Sequence, residues 1–134
     1  MFKEWDMIRF LKRRIVNTFL YSVDGIKAAW KMEEAFRIES ILALPLLIFA
    51  MFLPVMNIEK ALLMGSVLLV LITELLNAGL EKTIDRISTH KHPLSKMVKD
   101  MGSAAVLFAL LNGMVVWSLI VVIPFFKEWI VRMQ

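Results

Sequence analysis

Four polar side chains near the middle of the chain, Glu74, Asn77, Glu81 and Asp85, recur at helical spacing, and the first two fall inside an otherwise apolar stretch. On an α-helix turning about 100° per residue, these offsets gather all four within an arc of roughly 80°. They make one acidic stripe. The run before it, Ala61 to Ile72, carries no charge, so the stripe starts in membrane. An ionised carboxylate at that depth is costly unless it faces protein, water or a cation, and such residues mark substrate paths and reaction centres. Polar side chains also act as hydrogen-bonding glue between membrane helices. Glue needs one polar residue and a ligand-sized charged face needs several; the continuation through Glu81 and Asp85 favours the second role.

Further groups with chemistry to offer lie on both sides of the stripe. Lys99-Asp100-Met101-Gly102-Ser103 immediately precedes the last apolar stretch, so Lys99 is a cation at the membrane surface, able to meet phosphate or simply to snorkel. Gly102, Ser103, Ala104 and Ala105 are small enough for close helix approach. Glu33 and Arg37, four apart, suit a surface ion bridge. Alternatively, Glu33 and Glu81 supply hard oxygens to Mg²⁺, which takes one or two carboxylates together with substrate phosphates. His90 and His92 alone make a poor metal site and read as loop residues near a phosphate, while the absence of cysteine excludes disulfides and thiolate zinc. No soluble nucleotide-binding signature, GxxxxGK[ST], GxGxxG, HRD or DFG, occurs. Phosphoryl transfer would need helices to supply carboxylates for metal, Lys or Arg for phosphate charge, and a base near the acceptor hydroxyl. The chain contains each of these.

Positioning such groups requires a scaffold, and the composition points to an all-α membrane protein. At 134 residues, 59% hydrophobic and a mean hydropathy of +0.70, the chain is too apolar for an ordinary soluble domain. One domain, 1–134, is expected. Residues 40–56, 61–80 and 103–126 qualify as transmembrane spans, with Pro45 and Pro54 in the first tolerated as membrane helices allow. Residues 81–100 read as a cytoplasmic loop and helix end. Residues 1–39 lack the core and cleavage site of a signal peptide. There Ile8, Leu11, Ile15, Thr18, Phe19, Ser22 and Ile26 recur with basic residues between them, the pattern of an amphipathic helix in the interface plane, bent at Gly25. Packing on a partner domain would leave the same pattern. Lys and Arg number eight in 1–39 and five in 81–100, against one in 57–60 and two in 127–134, which puts the N-terminus and the 81–100 segment in the cytoplasm and the C-terminus on the far side. The net charge of +4 reflects this asymmetry, and no nucleic-acid footprint accompanies it.

The string Glu74-Leu-Leu-Asn-Ala-Gly-Leu-Glu-Lys-Thr-Ile-Asp-Arg-Ile87, followed by His92-Pro-Leu, Lys99-Asp-Met-Gly-Ser-Ala-Ala-Val106 and preceded by Ala28-Ala-Trp-Lys-Met-Glu-Glu-Ala-Phe-Arg-Ile-Glu39, resembles the small prokaryotic diacylglycerol kinases of Gram-negative type. The resemblance covers nearly all of the chain outside its first few residues and the tail after Phe126. It implies a homotrimer of three-span subunits with shared active sites in the bacterial inner membrane, phosphorylating diacylglycerol with MgATP. Carried over by motif, Glu74 is the general base with Asn77 beside it, and Glu33 and Glu81 hold metal and nucleotide. Arg14, Tyr21, His90, Lys91, His92, Lys99 and Asp100 complete the ATP site. Arg14, Ala35, Arg37, Glu39, Glu74, Ser103 and Trp117 fall where lipid substrate is bound. The mechanism expected from these groups is direct in-line transfer to the lipid's primary hydroxyl, with Glu74 accepting its proton and no phospho-enzyme.

Lys-Asp-Met-Gly-Ser looks like the diacylglycerol branch; the polyprenol branch, which phosphorylates undecaprenol, tends towards Lys-Asp-Val-Ala-Ala there, though Phe36-Arg37-Ile38 is reminiscent of it. Ala78, Val23 and Phe52 depart from the residues common in the family, and none removes a catalytic group. Two rivals from other classes are a small proton-coupled transporter or channel subunit and a non-catalytic assembly factor whose stripe only specifies helix pairing.

Overall fold

A computed structural model describes residues 4–88 and 90–133. Five α-helices follow one another: α1 (Glu4–Met32), α2 (Glu34–Phe52), α3 (Asn57–Ile87), α4 (Pro93–Trp117) and α5 (Ile123–Arg132), the last two joined by a π-helical turn at Ser118–Val122. Three helical stretches are long and apolar enough to cross a membrane: Glu34–Phe52, Asn57–Ile87 and Pro93–Arg132. Helix α3 lies between α2 and α4 and packs along both.

Heptad spacing explains why these three helices associate. The buried positions of α2 are Phe36, Ala43 and Ala50, seven apart; those of α3 include Leu63, Val67 and Glu74; those of α4 are Gly102, Val106 and Ala109. A repeat of this period keeps one seam facing its neighbour along the whole helix, and its small members let membrane helices approach closely. The acidic stripe continues the α3 seam, for Glu74, Asn77 and Glu81 extend the row that begins Leu63, Val67, Val70. The outward faces are apolar, with Ile41, Leu44 and Ile48 on α2 and Leu107, Phe108 and Leu111 on α4 all exposed.

The helix ends differ from the expected boundaries for local reasons. Helix α1 runs unbroken through Gly25. The break comes instead at Glu33, a single extended residue (φ −115°, ψ 114°), across which backbone bonds from Glu33 N–H to Ala29 and from Arg37 N–H to Glu33 continue. Helix α2 keeps Pro45 inside it and stops at Phe52, so Pro54 falls in the following turn, where a missing N–H costs nothing. That turn is tied at both ends. Lys60 Nζ donates to the Met51 carbonyl at 3.0 Å, one of the acceptors left free at a helix C-terminus, and the Met56 N–H donates to Glu59 Oε2 at 2.8 Å.

Helix α3 has 31 residues, about 46 Å at 1.5 Å per residue against a hydrocarbon core of about 30 Å. One end must therefore stand clear of the bilayer core, and the end bearing Glu81, Lys82, Asp85 and Arg86 carries more charge than the end bearing Glu59 and Lys60. The connection to α4 shrinks to residues 88–92, so Lys99 and Asp100 sit on a formed helix. His92 caps α4 by accepting the Leu94 N–H on Nδ1 at 3.2 Å, and Pro93 takes the first helical position, where no donor is needed. At the far end the Ile123 N–H reaches back five residues to the Ser118 carbonyl. This wider π turn makes room for the Pro124 ring, which would clash with a carbonyl in a regular α turn.

Candidate active site

A small cavity of about 170 Å³ lies where α3 faces the start of α2, and Glu33, Ala35, Phe36, Glu74, Asn77, Ala78 and Glu81 line it. Three carboxylates and one amide thus share a space no larger than a few water molecules. Glu74 is the most enclosed, only 8% exposed. The extended conformation at Glu33 carries that side chain across to α3, where Glu33 Oε1 meets Lys82 Nζ at 2.7 Å. Glu33 therefore pairs across helices with Lys82, not along its own with Arg37, which is exposed.

Asn77 is the hinge of the arrangement. Its Nδ2 donates to Glu81 Oε1 at 3.3 Å, while its Oδ1 is buried with no hydrogen-bond partner among the described residues. That oxygen points at Gly102 of α4: a Cβ built there would stand 2.1 Å from it. Among the described residues, Gly102 is the one glycine with such a constraint; the side chain it lacks is the space the amide occupies.

One turn towards the membrane, a groove of about 350 Å³ opens between α2, α3 and α4. Its walls are apolar, among them Leu46, Val67, Val70 and Met114, with Glu39 and Trp117 also on its lining. Glu39 Oε2 and Trp117 Nε1 are both buried without a partner among the described residues, and the Trp117 ring stacks on Phe49 at 6.2 Å. On the other side of the stripe, a hollow of about 710 Å³ is lined by Asp85, His90, Lys91, His92, Lys96, Lys99 and Asp100 among others. Lys99 Nζ is 2.7 Å from Asp85 Oδ1, and Lys96 bridges to Asp100.

The groups singled out in the sequence therefore fall into three adjoining places. Glu33, Ala35, Glu74, Asn77 and Glu81 share the small cavity. Glu39 and Trp117 share the groove, and His90, Lys91, His92, Lys99 and Asp100 share the hollow. Arg14 and Tyr21 are not brought to them within one chain. Arg14 lies on an exposed face of α1 with Leu11, Ile15 and Phe19, and nineteen helical residues separate it from Glu33, about 28 Å. Arg37 and Ser103 face outward. Sequence reasoning missed Lys82 as the partner of Glu33 and Gly102 as the seat of Asn77. No spacing rule links residues that meet only through a tertiary contact.

Among the described residues, no three His, Asp or Glu side chains converge closely enough to hold a metal ion by themselves. A magnesium ion arriving on a nucleotide asks for less, one or two carboxylates with phosphate and water in its other positions. Glu33 and Glu81 on one cavity, with the unpartnered Asn77 carbonyl beside them, are a hard-oxygen set that fits this demand.

Three membrane-length helices, with clustered carboxylates at the head of an apolar groove, define a membrane protein whose polar chemistry adjoins a space fit for a lipid. The model of the prokaryotic diacylglycerol kinase family matches residues 20–121. Relatives carrying the name diacylglycerol kinase include those of Escherichia coli strain K12, 43% identical over 80% of this chain and 88% of the relative, Haemophilus influenzae, 45% over 78% and 88%, and Pseudomonas aeruginosa, 46% over 81% and 88%. The chain belongs to the prokaryotic diacylglycerol kinase family. It is a lipid kinase.

Proposed function

We propose that this protein transfers the γ-phosphoryl group of ATP to the primary hydroxyl of diacylglycerol, forming phosphatidic acid at the cytoplasmic face of the bacterial inner membrane. The observation that carries the reading is the convergence of Glu33, Glu74, Asn77 and Glu81 on one cavity, with an apolar groove on its membrane side and a basic hollow on the other. The acyl chains lie in the groove, where Trp117 and Glu39 offer polar atoms that lack partners. The hydroxyl then reaches Glu74, the most enclosed of the three carboxylates on the cavity. Glu74 takes the hydroxyl proton as the oxygen attacks the γ-phosphorus in line, and the bond to the β,γ-bridging oxygen breaks to release ADP. Asn77 holds Glu81 in place through their hydrogen bond. Lys99, with Lys91 and the His90 to His92 segment, answers the charge of the nucleotide phosphates. Glu33 and Glu81 would hold Mg²⁺, which when bound would supply positive charge to the transferring phosphate. Positioning two substrates from two phases supplies much of the rate.

A homotrimer with active sites shared between subunits fits the exposed apolar faces of α2 and α4 and the distance of Arg14 and Tyr21 from the cavity, since a neighbour's α1 can supply what its own chain does not. The excess of Lys and Arg at the N-terminus and around residues 81–100 supports a cytoplasmic N-terminus and a C-terminus on the far side. The deciding experiment is purified protein in mixed micelles with radiolabelled ATP, Mg²⁺ and either diacylglycerol or undecaprenol. Labelled phosphatidic acid is expected; label confined to undecaprenyl phosphate would move the protein to the polyprenol branch, and no labelled lipid would refute the reading.

A further inference from the structure

We infer that Lys82 is a resident counter-cation that holds Glu33 until a divalent cation displaces it, and so sets the metal concentration at which this kinase works. The inference rests on the assignment of Glu33 as a metal-holding carboxylate.

The position of Lys82 carries the inference. Its Nζ lies 2.7 Å from Glu33 Oε1, and that carboxylate is largely enclosed while the Lys82 side chain is about half exposed. Glu33 is on the wall of the cavity, but Lys82 is not among the cavity's lining residues. Its stem lies in a neighbouring hollow with Gly25, Ala29, Met32 and Gly79, and Glu33 and Ala78 line both spaces. The ammonium therefore reaches Glu33 from outside, with solvent behind it. It also stands in the negative field of Asp85 and Glu81. Nothing encloses the head group, and it can leave without disturbing the packing of its stem. A crowd of carboxylates without a cation would repel itself at the start of α2, and one monovalent charge relieves this while remaining exchangeable. An ammonium and a divalent ion on one carboxylate repel each other, each weakening the other's hold, so the two compete.

The test is a titration of Mn²⁺ into the full-length purified protein in detergent, read as loss of the free-ion electron paramagnetic resonance signal, without nucleotide and again with a non-hydrolysable ATP analogue. Lys82→Met keeps the apolar stem and removes the charge; it should bind Mn²⁺ at least about tenfold more tightly, since a neighbouring opposite charge shifts a carboxylate's affinity for a proton by about one to three decades. Lys82→Gln should act in the same direction, and Lys82→Arg should stay close to the parent. Glu33→Gln and the double variant Glu33→Gln with Lys82→Met should both bind weakly. A bridge with a purely structural role predicts a lower melting temperature in Lys82→Met with no gain in Mn²⁺ affinity, and that result overturns the inference alone. Binding that is indifferent to Glu33→Gln overturns the metal assignment and this inference with it.

Discussion

Gly102→Ala should damage the enzyme far more than one methyl group suggests, because the new Cβ would stand 2.1 Å from Asn77 Oδ1 and 3.2 Å from its Cγ. Ordinary contact begins near 3.4 Å, so the gap must open by about 1.3 Å. The near atom is the tip of a side chain, so the Asn77 amide rotates and gives up its bond to Glu81 at less cost than parting α3 from α4. The lost hydrogen bond costs about 0.5 to 1.5 kcal/mol. The larger effect falls on catalysis, where a displacement of about an ångström at a reacting centre can cost about a hundredfold in rate. In the mixed-micelle assay kcat should fall by about that factor, and thermal unfolding should report a loss of about 0.5 to 1.5 kcal/mol. A double-mutant cycle isolates the cause. The Asn77 Cβ is already 3.8 Å from the added atom, so in an Asn77→Ala background Gly102→Ala should cost little stability. Equal destabilisation in both backgrounds, or full activity in the single variant, would show that Gly102 does not seat Asn77.

Four other perturbations separate the proposed roles. Glu74→Gln should lower kcat by about 10² to 10⁴-fold, the usual worth of a general base, with ATP affinity and oligomeric state largely kept; near-normal turnover removes Glu74 from that role. Glu81→Ala should move half-saturation by Mg²⁺ upward by about tenfold or more, and an unchanged magnesium titration counts against it as a metal ligand. Lys99→Met should raise KM for ATP by about ten- to a hundredfold, the worth of one charge-assisted hydrogen bond, while KM for diacylglycerol stays put; the reverse pattern would relocate the nucleotide. Gly113 lines the groove and a Cβ there meets no atom within 4 Å, so Gly113→Leu, extending from that Cβ, should raise KM for dioleoylglycerol by about tenfold, displacing several methylenes' worth of contact, yet leave dihexanoylglycerol nearly unaffected. Equal effects on both lipids would place the acyl chains elsewhere.

The stripe itself was legible in the sequence because a helix imposes its period on whatever residues occupy it. Glu74, Asn77, Glu81 and Asp85 had to share a face once α3 formed, and the uncharged run from Ala61 to Ile72 made α3 a membrane helix. The same periodicity exposed the spans, since an apolar run of sufficient length satisfies its own backbone and needs no distant partner. Boundaries were less legible, as they depend on a few local bonds: the Lys60 and Glu59 ties around Pro54, the His92 cap before Pro93, and the single extended residue Glu33 in place of a bend at Gly25. What only the tertiary structure decided was which helix faces which. The reach of Glu33 to Lys82, the nesting of Asn77 against Gly102, and the groove that unites Glu39 with Trp117 each join residues dozens of positions apart, and no local propensity encodes such a meeting. They arise because small residues on three helices let their seams close to contact, and that close approach, not the identity of any one residue, turns a row of carboxylates into a site.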